Sequence, residues 1–210
     1  GNGIRSEDPS GIGIAGAGVA STANSVYDAV FNMTGGTITG NNGGTGSGAG
    51  LYLENSGAHT STATISGGSI VGNNGASGVY AAKANLSISG NPVISRNQNA
   101  SGEEKNLYLT SGTTISLVGK MASGANVGVT MASTNDGTVV ANGADYTITD
   151  EDAGYFVYDG GDKLIQKSET ENQLVLANKD SGETYFAVTL TLPEHVTANK
   201  ALTAQVKNGE

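Results

Sequence analysis

Three tyrosines at regular spacing are the side chains whose type and pattern most clearly allow a binding role. Tyr52, Tyr80 and Tyr108 are 28 residues apart, in the segments GLYL, GVYA and NLYL. Side chains alternate between the two faces of a strand, so the tyrosines are predicted to lie outside while their neighbours face a core. Stacked at about 4.8 Å per strand, the rings would form a ladder. Such a ladder could bind a carbohydrate or another ligand, or it could shield a stacked β surface.

Carboxylates concentrate in the C-terminal half of the chain and could ligate Ca²⁺, which prefers several carboxylate oxygens. The candidate metal ligands are Asp150, Asp152, Asp159 and Asp162. The spacing of an EF-hand and the repeated nonapeptide of calcium-binding β-helices are both absent. A solvated loop or hairpin turn is therefore the alternative interpretation. We expect no cofactor other than this Ca²⁺.

The sequence contains no recognisable catalytic constellation. Neither His59 nor His195 has the neighbours of a Ser-His-Asp triad or the spacing of a zinc site. Acids are few before residue 100, and Lys83 and Arg96 have no nearby carboxylate in the repeat pattern. The segment GIGIAG matches a dinucleotide-binding glycine pattern, but the strand and helix that such a site needs do not follow it. The sequence therefore predicts that the chain is not an enzyme.

The composition excludes several classes of partner. Nineteen acidic and ten basic residues give a net charge of −9, and an acidic surface repels the phosphates of nucleic acids and of anionic membranes. The chain has no cysteine, so it forms neither disulfides nor thiolate metal sites. No apolar run approaches the roughly 18 residues of a membrane-spanning helix. We therefore expect no nucleic-acid partner and no membrane insertion.

A repeated octapeptide indicates how the tyrosines are positioned. GGTITGNN at residues 35–42 returns as GGSIVGNN at 67–74, and ISGNPV at 88–93 aligns with MTGGTI at 33–38 and ISGGSI at 65–70. Glycine adopts a positive φ at a corner without a clash, and asparagine tolerates the same region. Stacked asparagines can also hydrogen-bond along the coil axis. Short strands, Gly/Asn corners and a period of roughly 23–32 residues are typical of a parallel β-helix, in which equivalent strands stack from turn to turn.

The C-terminal third changes in character. Residues 143–177 have more acids and longer apolar alternation, which predicts the last turns or a β-hairpin that covers the end of the coil. After a turn at 179–183, Phe186, Val188, Leu190 and Leu192 alternate with polar or small residues. We therefore divide the chain into a capped β-helix at 1–178 and a β-strand extension, or the start of a following domain, at 179–210.

The pattern GGxIxxNN followed by GxGVY, with strands rich in Thr and Ser, resembles the right-handed β-helix repeats of large secreted or wall-anchored bacterial proteins. Those proteins are pectate-lyase-like in fold and are often adhesins. The resemblance implies an all-β fold: a right-handed parallel β-helix (solenoid) with a C-terminal β-hairpin cap or extra strands. It also implies a non-catalytic extracellular module, secreted or cell-wall-anchored, that acts as an adhesin or stalk and displays loops and the tyrosines.

The expected partners are a glycan or a host surface protein, bound by a monomer within a larger multidomain chain. The alternative function is a fragment of a polysaccharide lyase or glycoside hydrolase of β-helix fold. Such an enzyme would need carboxylates that converge on one face of the coil.

Overall fold

The structure is a computed structural model that describes residues 4–6, 18–22, 27–44, 48–55, 58–179, 186–189 and 203–206. Its regular elements are almost all strands, as expected for a chain rich in Gly, Thr, Ser and Asn, which are poor helix formers. In chain order the elements are β1 (Ile4–Ser6), β2 (Val19–Thr22), β3 (Ala29–Thr39), β4 (Leu51–Glu54), β5 (Ser61–Val71), β6 (Val79–Ala82), β7 (Asn85–Gly90), β8 (Val93–Ser95), β9 (Leu107–Leu109), β10 (Ile115–Met121), β11 (Asn126–Met131), β12 (Val139–Gly143), α1 (Asp150–Ala153), β13 (Phe156–Tyr158), β14 (Lys163–Lys167), β15 (Gln173–Asn178), β16 (Phe186–Thr189) and β17 (Thr203–Val206).

Parallel strands stack into three columns, named here stacks A, B and C. Stack A contains β1, β2, β4, β6, β9 and residues 129–131 of β11, paired in that order. Stack B contains the first halves of β3 and β5, then β7, β10 and β12. Stack C contains the second halves of β3 and β5, then β8, residues 126–127 of β11, and β13. The predicted parallel β-solenoid is therefore confirmed, with about four turns.

The core lies between the stacks and consists of inward side chains aligned from turn to turn. In stack A, Leu51 pairs with Val79, and Val79 pairs with Leu107. Comparable columns in the other stacks are Ala63–Leu86–Ile115–Ala141, Met33–Ile65–Ile88–Leu117 and Ile70–Ile94–Val127. All of these residues are buried. Each large aliphatic side chain fully buried in this way stabilises the fold by roughly 1.5–3 kcal/mol.

Glycines of the repeated octapeptide form the corner between stacks B and C. Gly36 and Gly68 both have a φ of 82°, a region that residues with a side chain rarely adopt. A Cβ on Gly68 would also lie 2.8 Å from the backbone of Gly35 in the turn before it. Gly36 and Gly68 are therefore needed for the bend, and Gly68 also for the close stacking of successive corners.

Antiparallel strands cover the C-terminal end of stack B, which confirms this part of the predicted fold. β15 pairs antiparallel with β12, and β14 pairs antiparallel with β15. Stack C ends separately in β13, which pairs only with β11 among the described strands. The helix α1 begins after Thr149, between the end of stack B and β13.

Two further strands follow the solenoid in the sequence. β16 and β17 pair antiparallel, with Phe186 opposite Val206. The predicted alternation continues through Leu190 and Leu192, which lie outside the described residues, as does His195. The assignment of residues 179–210 to an extension or a following domain stays a prediction.

Candidate functional site

The three tyrosines stack on the outer face of stack A. The ring centroids of Tyr52 and Tyr80 are 5.3 Å apart with planes 3° from parallel, and those of Tyr80 and Tyr108 are 5.6 Å apart with planes 17° from parallel. All three rings are half-buried. We call this row the tyrosine ladder.

Backbone register explains why the rings meet. Tyr52 pairs directly with Tyr80, and Tyr80 pairs with Tyr108. In these strands the residues immediately before and after each tyrosine are buried. The leucines, valine and alanine that flank the rings point into the core, so the rings are fixed on the opposite face. The ladder is therefore a rigid feature, because its position is set by the hydrogen bonds and core packing of three strands.

Small residues continue the same row at both ends of the ladder. Ala20 is the register partner of Tyr52 on one side, and Thr130 is the partner of Tyr108 on the other. Neither residue offers an aromatic ring. The ladder is therefore limited to the three central rungs of stack A.

One carboxylate lies beside the ladder. The Tyr52 hydroxyl donates to Glu54 Oε2 at 2.8 Å. Burial and then this hydrogen bond raise the pKa of Tyr52, and burial followed by the charges of Tyr108 and Glu54 raises the pKa of Tyr80. These two phenols therefore keep their protons to a higher pH than free tyrosine does.

Stacking also determines which part of each ring a ligand can reach. Both faces of Tyr80 are covered, one by Tyr52 and the other by Tyr108. A sugar cannot therefore stack on the face of the central ring. A ligand would instead meet a row of ring edges and hydroxyl groups at steps of 5.3 and 5.6 Å.

A second row, of asparagines, runs through the corner between stacks C and A. Asn41 Nδ2 donates to Asn73 Oδ1 at 2.8 Å, Asn73 Nδ2 to Asn97 Oδ1 at 2.9 Å, and Asn97 Nδ2 to Asn106 Oδ1 at 3.3 Å. The backbone N–H groups of Asn41, Asn73 and Asn97 donate to the same oxygens. We call this row the asparagine ladder; its middle members Asn73, Asn97 and Asn106 are buried.

Asp159 forms the acceptor end of the asparagine ladder. Asn106 Nδ2 donates to Asp159 Oδ1 at 2.7 Å, and the Asn106 backbone N–H and the Thr130 hydroxyl donate to Asp159 Oδ2 at 2.8 and 2.6 Å. A carboxylate suits this position because every amide in the row donates in the same direction and the last one needs an acceptor. Stacked asparagines were predictable from the repeats, but no signal pointed to Asn106 or to this use of Asp159.

Asp152, a second candidate metal ligand, is buried and belongs to a different network. It accepts from the backbone N–H of Met121 at 2.8 Å, from the Tyr146 hydroxyl at 2.8 Å and from the Thr149 hydroxyl at 2.6 Å. Burial alone would raise its pKa, but these hydrogen bonds together lower it. Thr149 and Asp152 form a capping box around the start of α1. The sequence carried the signal for this role, a threonine three residues before an acid.

The remaining candidate metal ligands, Asp150 and Asp162, are exposed. No group of three or more His, Asp or Glu side chains that could hold a metal ion is found in the part of the chain that the structure describes. Asp152 and Asp159 already accept several hydrogen bonds each, in separate networks. The structure thus does not gather the four candidates, and Ca²⁺ binding stays a prediction.

His59 contacts an acid rather than a catalytic partner set. Its Nδ1 lies 3.2 Å from Asp28 Oδ1, which also accepts from the backbone N–H of Thr60 at 2.8 Å. Both side chains are at the surface. This pair links neighbouring turns before β3 and β5.

Comparison with protein-family models, with curated proteins and with solved structures finds no match to this chain. Within the described residues, no helix is long and apolar enough to cross a membrane. The class of protein is therefore defined by the fold itself: a parallel β-solenoid of about four turns with antiparallel strands near its C-terminal end.

Proposed function

We propose that this chain is a non-catalytic, extracellular β-solenoid module of a bacterial surface or secreted protein. It acts as an adhesin or stalk that presents the tyrosine ladder to a glycan or a host surface protein. The observation that carries the proposal is the half-buried ladder of Tyr52, Tyr80 and Tyr108, with parallel rings at steps of 5.3 and 5.6 Å.

The ladder suits a ligand that is rich in hydroxyl or amide groups. The Tyr80 hydroxyl can both donate and accept hydrogen bonds, and the Tyr52 hydroxyl, which already donates to Glu54, can accept them. Glu54 adds an acceptor at one end of the row. Aromatic side chains combined with a small number of placed polar groups are common in ligand-binding sites. Because the strands fix the rings in advance, little conformational entropy is lost when a ligand binds.

The distribution of acids supports a non-catalytic role. Glu54 is the only acidic residue in strands β1–β12. Glycoside hydrolysis in most families needs two carboxylates that flank the scissile bond. The coil strands therefore supply one such group beside the ladder and no second one, which favours display over cleavage of a polysaccharide.

The extracellular location belongs to the same proposal. It is supported by the resemblance of the repeats to those of secreted and wall-anchored bacterial proteins and by the absence of cysteine from the chain. The net charge of −9 supports a partner other than nucleic acid.

The test is a glycan array probed with the purified chain, with Tyr80→Ala and with Thr64→Ala. Thr64 is the matched control because it is a half-buried, outward residue of β5, in the same turn as Tyr80 but on stack B. We expect the wild type and Thr64→Ala to bind the same glycans, and Tyr80→Ala to lose most of that binding. Circular dichroism would show that both variants are folded.

Two results would contradict the proposed role of the ladder. Binding that survives Tyr80→Ala but disappears on addition of a chelator would move the site to the exposed acids Asp150 and Asp162. Absence of binding to glycans and to host-cell surfaces alike would reduce the ladder to a structural stack and leave the solenoid a spacer.

A further inference from the structure

Two unpaired strand edges enclose a cleft at the C-terminal end of the solenoid. β13 and β14 are consecutive strands separated by Asp159–Asp162, a distance in sequence at which strands commonly form a hairpin. Here they do not pair with each other: β13 pairs with β11, and β14 pairs with β15. Among the described strands, each is therefore hydrogen-bonded along one edge only.

Residues of both strands line this cleft, which has a volume of about 680 Å³. That volume is within the range of ligand-binding cavities. A strand with one free edge leaves alternate N–H and C=O groups without strand partners, and such groups are a template for an added strand. The cleft thus combines enough space with backbone groups that an extended peptide can pair with.

The side chains of the cleft indicate what kind of peptide fits. Phe156 and Ile165 are buried in its floor, whereas Val157 is 54% exposed. Lys167 and Lys179 also line it, and their ammonium groups donate to the backbone carbonyls of Ser168 and Gly161.

Neither of these two lysines takes part in any of the salt bridges found among the described residues. A third lining lysine, Lys163, is different, because its Nζ lies 2.7 Å from Asp136 Oδ1. Asp150 is the acid among the lining residues. Lys167 and Lys179 therefore give the cleft a positive character in a chain whose net charge is −9.

We infer that this cleft binds an extended acidic peptide of a partner protein, which adds as a strand to the free edge of β14. Apolar side chains on one face of the peptide would contact the exposed Val157. Carboxylates would pair with Lys167 and Lys179 through charge-assisted hydrogen bonds. This site is separate from the tyrosine ladder and does not depend on the function proposed for it.

The probe is a short fluorescent peptide of alternating glutamate and valine, titrated with the full chain and followed by fluorescence anisotropy. We compare the wild type with the double variant Lys167→Ala/Lys179→Ala. The double variant Lys83→Ala/Lys105→Ala is the matched control, since it removes the same charge outside the cleft. We expect the control to bind as the wild type does. The cleft variant should bind at least about tenfold more weakly, because two charge-assisted contacts are lost.

Two altered peptides test strand addition itself. A peptide methylated on alternate backbone nitrogens cannot donate to a strand edge, and it should also bind at least about tenfold more weakly. A peptide of alternating lysine and valine should not bind. Equal binding of the methylated peptide, or an equal loss in both double variants, would overturn the inference.

The oligomeric state of the free chain completes the test. Light scattering at the concentrations of the titration should show a monomer with and without the peptide. A dimer that the peptide dissociates would mean that a second copy occupies the cleft, and this would overturn the assignment to a partner protein.

Discussion

The asparagine ladder and the tyrosine ladder rise through the same turns of the solenoid, yet they differ in burial and in how their polar groups are satisfied. Asn73 and Asn97 are buried, and their amides donate and accept hydrogen bonds within the row. The tyrosines are half-buried, and Tyr52 hydrogen-bonds to an exposed glutamate. The first row therefore has no capacity left for a ligand, whereas the second presents hydroxyl groups at the surface.

This difference shows that regular recurrence alone does not identify a binding site. Both rows follow from the same coil period, because every turn places equivalent residues at the same height. What separates them is whether the repeated side chain faces the corner of the core or the solvent. The asparagine ladder holds the corners together, and the tyrosine ladder is the feature available for recognition.

The largest expected effect tests how closely the asparagine ladder is packed. A Cβ on Gly78 would lie 2.2 Å from Asn97 Cγ, so Gly78→Ala must displace that amide. We expect a loss of about 3–4 kcal/mol of unfolding free energy, from overpacking and from broken buried hydrogen bonds. Urea unfolding measures it. Gly35→Ala is the control, since a Cβ added there would meet no atom within 4 Å and the φ of Gly35 is not positive.

A loss from Gly78→Ala no larger than that from Gly35→Ala would show that the asparagine row can rearrange freely. The two ladders would then not differ in the way described above, because the buried amides would not be fixed by their hydrogen bonds.

A smaller effect is expected at alkaline pH, where the tyrosine ladder contributes together with Tyr146 and Tyr158, whose pKa values burial also raises. Burial raises the pKa of Tyr52 and Tyr80 above the ordinary value of 10.0. A raised folded pKa favours the protonated form, so the contribution to stability is complete below pH 10 and is lost as the pH rises through the folded values. The phenolate absorbance of these tyrosines should therefore appear at a higher pH than that of free tyrosine. It should appear together with the unfolding of the chain.

The control for this titration is the urea-unfolded chain, whose tyrosines should all ionise near their ordinary value. If the native chain gave the same single titration, the hydroxyls of the ladder would be as solvated as those of free tyrosine, which would contradict the half-buried position of the row.

The coil and the tyrosine register could be predicted because the sequence repeats them. The paired glycines at 35–36 and 67–68 indicated the corners, and the segments around Tyr52, Tyr80 and Tyr108 showed the alternation that places the rings outside. These features depend on local conformation and on period, both of which can be read from a single chain.

The end of the asparagine ladder could not be predicted in the same way. β11 runs from stack C directly into stack A, so this turn has no corner asparagine of its own. Asn106 extends the row from the position that Gly50 and Gly78 hold in earlier turns, and Asp159 completes it from 53 residues further along the chain. A long-range contact outside the period leaves no local signal, so the sequence does not predict this hydrogen-bonding role of Asp159.

The strand order at the C-terminal end also could not be predicted from the sequence. Alternation predicted a hairpin, but it does not say which of its strands joins the solenoid. In the structure β15 lies between β12 and β14, and this order leaves β13 and β14 unpaired with each other. The cleft proposed as a peptide site results from that order.

The most direct test of the division between the two ladders is the unfolding free energy of Asn97→Ala beside that of Tyr80→Thr, each measured by urea denaturation against the wild type. Asn97→Ala leaves Asn73 without its buried acceptor and should cost about 3 kcal/mol. Tyr80→Thr places on the central rung the residue type that Thr130 contributes at the end of the row, and should cost about 1 kcal/mol. Equal losses, or a larger loss for Tyr80→Thr, would contradict the division of the two ladders into one that holds the fold and one that is free to bind.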